Sequence, residues 1–468
     1  MSENQATRAS IIFAIVGFLG LLNSCMVGPE YRRPVTPSSE AFKETPPAGW
    51  KQAQPGDGLN RGAWWDVYKD EQLSQLEDRV SISNQNVLAA EARFEAATAA
   101  VHATHAAEFP SVTADPAATH FKAGTETEQT RSSYTLPIQV SYQADVWGSI
   151  RRSTAENAAV AQASAADLGN VRLLYQSQLA ADYFEVQGLD AEQALLDSAV
   201  QSYEQAVRLT QDRYEGGIAS TADVDLARTQ LETARVQLID IRLQRAQLEH
   251  AIASLIGTPP SEFSISPRQD SSPPPVVSVG IPSALLERRP DIAAAERQVA
   301  AANAQIGVAK AALYPALMFS ASAGSQSTAI GDLLAWPTRF WSVGPQLAQT
   351  LFDAGKRRAE IREAHAVYDQ TVANYRQTIL TAFQQVEDSL AQLRILSEEA
   401  DAEAAAVKSA EQSLDISTIQ YRGGLTNYLQ VITAQTSLLQ NQRSAAQIQT
   451  RRKVASVSLI QALGGGWR

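Results

Sequence analysis

The chain has 468 residues, 39 of them basic and 50 acidic, for a formal net charge of −11, with 44% hydrophobic residues and one cysteine. An acidic balance argues against nucleic-acid binding, which needs a basic surface for phosphate. A lone cysteine excludes an internal disulfide framework. The length would suit two or three globular domains. However, long tracts of Ala, Gln, Glu, Leu and Arg with few Gly or Pro point to long helices instead.

The first segment runs from a polar start with Glu3 and Arg8 into an apolar stretch at 11–22, then Leu22-Asn23-Ser24-Cys25. An apolar run of about a dozen residues is too short to span a bilayer and reads as an export signal. Leu22 at minus three and small or polar residues before Cys25 resemble the lipobox of a bacterial lipoprotein. Residues 1–24 are then a signal peptide, and residues 25–70 an N-terminal arm acylated at Cys25. Met26 is not the aspartate that retains many lipoproteins in the inner membrane, so outer-membrane sorting is expected. No later stretch is apolar enough for a transmembrane helix, so any membrane crossing must use strands.

An opening helix is expected over 72–107, stopped by Pro110. A hairpin follows over 110–147. Tyr134, Leu136, Ile138, Val140, Tyr142, Ala144 and Val146 alternate with polar residues, a period-two strand with one apolar face. Val112, Ala114 and Ala118 form its weaker partner. A second hairpin over 315–352 carries Leu317, Phe319, Ala321 and Ala323, then Trp341, Val343, Pro345, Leu347 and Leu351. Strands of this length suit a tilted membrane strand. Tyr134, Trp147, Trp336, Phe340 and Trp341 sit near strand ends, where an aromatic girdle lies.

Residues 152–214 and 357–421 run without proline, long enough for helices of about 90–100 Å. Each ends in a Gly-Gly pair, Gly216-Gly217 and Gly423-Gly424, which suits a reversal needing positive φ. The returning helix carries a heptad, Leu231, Ala234, Leu238, Ile241, Arg245, Leu248, Ile252 and Leu255. Its copy reads Leu438, Asn441, Ala445, Ile448, Arg452, Ala455, Leu459 and Ala462. This is a coiled-coil seam. Both copies place an arginine, Arg245 and Arg452, at one seam position. A buried ion pair and a snorkelling guanidinium both fit, and the second is the expectation.

These parallels reflect an internal duplication. Arg213-Tyr214-Glu215-Gly216-Gly217 returns as Gln420-Tyr421-Arg422-Gly423-Gly424, an offset of 207 (423 − 216). Ala89-Ala90-Glu91 returns as Ala294-Ala295-Glu296, and Phe109-Pro110 as Tyr314-Pro315, both at 205 (315 − 110). The repeats are 71–257 and 284–465, joined by a Pro-rich connector at 258–283 and followed by a tail at 466–468.

Signals for chemistry are thin. His102 and His105 share a helix spacing that suits a metal, but no carboxylate or cysteine completes a set. Gly464-Gly465-Gly466 lacks the Lys-Ser/Thr of a phosphate loop. No nucleophile elbow occurs, and Glu398-Glu399 are adjacent, so they face different sides of a helix. No catalytic residue, metal site or cofactor is expected, and the protein is read as a non-enzyme.

Four membrane strands per chain cannot form a stable open sheet in lipid, so several copies must pool them. Two copies would supply eight strands and three would supply twelve. Periodicity does not choose between them.

The chain resembles the TolC-type outer-membrane factors, in the lipoprotein branch serving resistance-nodulation-division efflux pumps. The resemblance is carried by residues 25–34 (Cys-Met-Val-Gly-Pro-Glu-Tyr-Arg-Arg-Pro), by Trp64-Trp65 with Leu73, and by Leu285-Leu286-Glu287-Arg288-Arg289-Pro290-Asp291-Ile292 with Glu296. It continues in Tyr421-Arg422-Gly423-Gly424, Asn427-Tyr428-Leu429, Ala434-Gln435 and the terminal Ala462-Leu463-Gly464-Gly465-Gly466-Trp467. It implies an α+β membrane protein. A homotrimer would pool twelve strands into one transmembrane β-barrel, anchored by membrane lipid, above a long coiled-coil helical barrel in the periplasm.

The resemblance further implies a passive exit duct for small molecules. A periplasmic adaptor would open it, and an inner-membrane transporter would supply the energy. The Gly-Gly turns would form the periplasmic tip. Relatives often carry an acid after the second tip glycine, where this chain has Thr426, with Ser220 and Thr221 in the first repeat. Asp212, Asp223 and Asp225 lie nearby and can build a weaker acidic gate. Two alternatives remain open: a lipid-anchored coiled-coil scaffold without a pore, and an exit duct for protein secretion.

Overall fold

The computed structural model describes residues 26–37, 41–44, 62–122, 130–268, 272–275 and 288–465. Cys25, the signal segment and the tail at 466–468 lie outside the described residues, as does part of the connector. In chain order the regular elements are α1 (Glu71–Ser83), α2 (Gln85–Ala106), β1 (Ser111–Ala114), β2 (Ala117–Lys122), β3 (Thr130–Ala144), α3 (Ser149–Glu215) and α4 (Thr221–Leu255). The second repeat supplies α5 (Pro290–Ala311), β4 (Ala316–Ser327), β5 (Arg339–Ala348), α6 (Lys356–Arg422) and α7 (Tyr428–Ala462). They form two units, each assembled from separate stretches of chain. One comprises Met1–Val35, Ala92–Ala165 and Ala294–Arg376; the other comprises Thr36–Glu91, Ala166–Ala293 and Gln377–Arg468.

The first unit holds the sheet, which is antiparallel throughout in the order β1/β2–β3–β4–β5. β1 and β2 are one strand interrupted, because both keep the same register on β3: Ser111 faces Ser141 and Lys122 faces Thr130. The interruption at Asp115-Pro116 lies opposite Leu136-Pro137, by continuation of that register. Pro116 and Pro137 sit in adjacent opposed pairs, which alternate between hydrogen-bonded and non-bonded, so one of the two removes a donor from this ladder and breaks the pairing without shifting it. Pro137 faces Gly324 on its other side. A Cβ at Gly324 would stand 2.2 Å from the Leu136 carbonyl oxygen, so only glycine fits at this crossing.

The strands end earlier than the alternation suggests. β3 stops at Ala144 and β5 at Ala348, leaving Val146 and Leu351 outside. Asp145 captures the backbone N–H groups of Ile150 (3.0 Å) and Arg151 (2.9 Å), which turns the chain into α3. Asp353 does the same for α6 through Gly355 (2.9 Å) and Arg357 (3.3 Å). A carboxylate on orphan N–H groups is a helix start signal strong enough to end a strand.

The second unit is cored by Trp64, Leu73, Tyr183, Phe184, Ile252 and Leu459. Each such fully buried apolar side chain stabilises by about 1.5–3 kcal/mol. Asp70 caps α1 through Gln72 and Leu73 and also accepts from the Tyr183 hydroxyl at 2.9 Å.

The single opening helix expected over 72–107 is in fact two, α1 and α2, divided at Asn84. Asn84 takes an extended ψ of 120°. Its side chain accepts from Asn86 (2.9 Å) and Val87 (3.2 Å) and donates to the Leu255 carbonyl (2.7 Å). An amide that caps the next helix and also binds a distant carbonyl offsets the lost helical hydrogen bonds.

The expectation of a snorkelling Arg245 is also corrected. Its Nε lies 2.6 Å from Asp190 Oδ1, with side-chain exposures of 14% and 3%, so this is a buried ion pair. Arg245 also reaches Glu249 (3.2 Å) and the Ile265 carbonyl (2.7 Å). Its counterpart Arg452 donates to Gln449 Oε1 (3.2 Å) and makes no ion pair among the described residues. The residue equivalent to Asp190 is Ser397 (190 + 207), which brings no charge.

Candidate functional site

Register assigns faces to the sheet, because directly opposed residues share a side. Tyr134, Leu136, Ile138, Val140 and Tyr142 of β3 share one face with Phe319, Ala321 and Ala323 of β4 and with Trp341, Val343, Pro345 and Leu347 of β5. Tyr142 and Phe319 stack across this face, with centroids 6.5 Å apart. Trp341 (77%), Val343 (72%) and Leu347 (67%) are largely exposed, so the face has no cover from the described residues of its own chain. The opposite face carries Thr135, Gln139, Ser141 and Gln143, with Ser320, Ser322 and Gln346. One apolar and one polar face match a strand with lipid outside and water inside. The outer edges of β1/β2 and β5 have no partner strand among the described residues.

Trp147, expected near a girdle, does local structural work. Its ring stacks on Tyr314 at 4.6 Å, and its Nε1 donates to the Pro315 carbonyl at 2.8 Å.

Downstream of Cys25, residues 26–35 are strapped to the first unit by a series of hydrogen bonds. Val27 N–H donates to the Trp147 carbonyl (3.1 Å), and Arg152 binds the carbonyls of Val27 and Gly28 (both 3.3 Å). Asn303 donates to the Pro29 carbonyl (3.2 Å), the Tyr31 hydroxyl to Glu296, and Arg33 to the Tyr375 hydroxyl (3.1 Å). Burial, then the Glu296 contact, raises the pKa of Tyr31, so it stays a donor. The residues quoted for the resemblance at 27–33 are therefore the ones that hold the arm.

In the second unit both long helices end in the same hydrogen-bond pattern. Gly217 N–H donates to Tyr214 and Ile218 N–H to Arg213; Gly424 donates to Tyr421 and Leu425 to Gln420. This is the Schellman arrangement, and φ of 70° at Gly217 and 74° at Gly424 explains the glycines. The returns differ. Ser220 and Asp223 form a reciprocal capping box on α4, whereas Asn427 makes no side-chain cap on α7. Asp223 is thereby engaged with Ser220 (3.0 and 2.9 Å), and Thr426 with Gln430 (2.7 Å). Asp212 and Asp225 are exposed and have no side-chain partner among the described residues.

Near these turns Arg213 stacks 4.6 Å over the Tyr421 ring, and Tyr421 packs 5.2 Å from Tyr428. Burial pushes the Tyr428 hydroxyl up to about 12. This contact joins a first-repeat cation to a second-repeat ring. The duplication gives no signal for it, because the equivalent residues Gln420 and Tyr214 do not reproduce it.

No group of three or more His, Cys, Asp or Glu among the described residues is placed to hold a metal. No described helix is long and apolar enough to cross a membrane.

Comparison with known proteins agrees with this geometry. A model of the outer membrane efflux protein family matches residues 77–258 and 281–465. The toluene efflux pump outer membrane protein TtgC of Pseudomonas putida is 29% identical over 468 residues, covering 98% of this chain and 96% of that protein. The pyoverdine export outer membrane protein OpmQ of Pseudomonas aeruginosa is 31% identical over 435 residues, covering 90% and 91%. The solved outer-membrane channel OprN superposes with a TM-score of 0.86 at 28% identity, covering 95% of this chain and 100% of that one. Matched across both repeats and nearly end to end, this chain belongs to the outer membrane efflux protein family and works in the outer membrane as an efflux component.

Proposed function

We propose that three copies of this chain close a twelve-stranded barrel and form the passive exit duct of a tripartite pump. One observation carries the reading. The sheet is four strands wide, apolar on one face, and without a partner strand on either edge among the described residues. In lipid those edges need partners, and other copies of the chain supply them. Acylation of Cys25 would add a lipid anchor next to the strapped arm at 26–35.

A periplasmic adaptor would engage the Gly-Gly turns, and an inner-membrane transporter of the resistance-nodulation-division type would supply the energy. The cargo class is small molecules, in keeping with toluene and pyoverdine, which two relatives export. The acidic gate narrows to Asp212 and Asp225, because Asp223 already serves as a helix cap.

The test is the native mass of protein extracted from membranes in detergent, with intact-chain mass in the same run. A trimer of acylated chains beginning at Cys25 is expected. A monomer, or a species soluble without detergent, would remove the duct reading.

A further inference from the structure

The loop joining β4 to β5 is unusual for a connection, because it is apolar and still exposed. Residues 328–338 read Thr-Ala-Ile-Gly-Asp-Leu-Leu-Ala-Trp-Pro-Thr. Ile330 (71%), Leu334 (75%) and Trp336 (77%) are open to the surroundings. A loop that projects into water is ordinarily polar. This one is also built rather than slack. Thr338 Oγ1 donates to the carbonyls of Leu333 (3.0 Å) and Ala335 (2.7 Å), and short helical turns cover Ile330–Asp332 and Trp336–Thr338.

Arg339 begins β5, and its guanidinium carbon lies 4.1 Å from the centroid of the Trp336 ring. By register it faces Ser325 and so shares the apolar face with Trp341, Val343 and Leu347. It is the only basic residue between 316 and 352, and Asp332 is the only acidic one. Among the described residues these two make no ion pair. A cation on the lipid-facing side, held flat on an indole and unneutralised, complements an anionic headgroup.

We propose that Trp336 and Arg339 form a docking site for the phosphate of a phosphorylated glycolipid in the membrane leaflet facing away from the helices. Ile330 and Leu334 would enter the boundary between headgroup and acyl chains, and the stacked guanidinium would bind phosphate oxygens through its free edge. The inference rests on the membrane orientation under the proposed function. It adds a lipid-binding site at the rim, separate from the duct.

The test is native mass spectrometry of the full-length detergent-extracted protein titrated with diphosphorylated lipid A or with lipid A stripped of its phosphates. The wild type should bind the phosphorylated lipid about fivefold more tightly, the size expected for one basic residue at a lipid surface. Arg339→Gln should lose that preference. Arg131→Gln should keep it, because Arg131, opposite Phe121 in β3, points to the other face. If Arg339→Gln fails to assemble, Trp336→Leu takes its place and should weaken the preference likewise.

Equal binding of both lipids by wild type, or an unchanged preference in Arg339→Gln, would overturn the docking site. Competition by inorganic phosphate alone at matched concentration would assign the site to a soluble anion and overturn the lipid source. The membrane reading is scored separately, by flotation with phosphatidylcholine vesicles. Failure to float would remove the duct together with this inference, whereas flotation without phosphate preference removes the inference alone.

Discussion

Arg289 holds in the second repeat the position of Asn84 in the first, 205 residues away (289 − 84), and both donate to the last carbonyl of their repeat's closing helix. Asn84 Nδ2 reaches Leu255 O at 2.7 Å, and Arg289 Nη1 reaches Ala462 O at 2.9 Å. The duplication has kept the contact and changed its chemistry. Asn84 is neutral, and its side chain bonds only to backbone groups. Arg289 is a buried cation, so it also needs the two carboxylate oxygens of Asp291 (3.0 and 2.6 Å) and Gln385 (2.8 Å).

The two positions should therefore respond differently to truncation. Arg289→Ala leaves Asp291 without its cation and should cost about 3–5 kcal/mol. Asn84→Ala loses a cap and one hydrogen bond, about 1–2 kcal/mol. Thermal unfolding in detergent at one fixed protein concentration should rank them in that order. Equal shifts would contradict the charge-based account.

Asp190 and Arg245 make a similar contrast with the unpaired seam position of the second repeat. Asp190→Ala should destabilise by about 3 kcal/mol, because it removes the more deeply buried of the two carboxylates on Arg245 and leaves the guanidinium with Glu249 alone. Arg452→Met should change stability by about 0.5 kcal/mol or less, because this half-buried cation makes no ion pair among the described residues and Met keeps most of its apolar stem. Paired melting curves of the two variants decide this.

Gly324 should tolerate no side chain. Its Cβ would meet Leu136 O at 2.2 Å and Pro137 Cα at 2.8 Å, both backbone atoms that cannot swing aside. Gly324→Val should abolish the proposed trimer in detergent, read by native mass, whereas Gly344→Val, with open space around its Cβ, should retain it.

Asp182 sets a pH dependence. Burial pushes its carboxyl from 3.8 to about 6, opposed by the Gln178 hydrogen bond. The folded state then holds its proton more tightly than the unfolded state. That contribution is full below about pH 4 and is lost as pH rises through 6. Asp182→Asn should therefore raise stability at pH 7 by on the order of 2–3 kcal/mol and leave it unchanged near pH 4. Glu77 shares the sign, since burial raises its pKa and neither oxygen has a hydrogen-bond partner among the described residues. A stability gain for Asp182→Asn that is the same at both pH values would refute the assignment.

At the turns, Asp225→Asn combined with Asp212→Asn should lower cation preference in single-channel conductance. Asp223→Asn should instead loosen the start of α4 by about 1 kcal/mol. An unchanged preference in the double variant would dismiss the acidic gate.

Much of this molecule is legible in the residues because the governing physics is local. A period-two pattern sets the faces of β3 and β4. Gly217 and Gly424 answer a φ requirement within one turn. Duplication makes each half a template for reading the other. The family resemblance rests on runs such as 27–33, whose side chains and backbone hold the arm to neighbouring helices.

Tertiary structure decided the rest, and for one physical reason. The partner that sets a residue's role lies far along the chain. Arg245 is a buried ion pair because Asp190 stands 55 residues earlier (245 − 190). The opening helix breaks at Asn84 because Leu255 offers a carbonyl 171 residues later. Composition and periodicity treat both repeats alike, whereas burial and the identity of one distant neighbour separate Arg245 from Arg452 and Asn84 from Arg289.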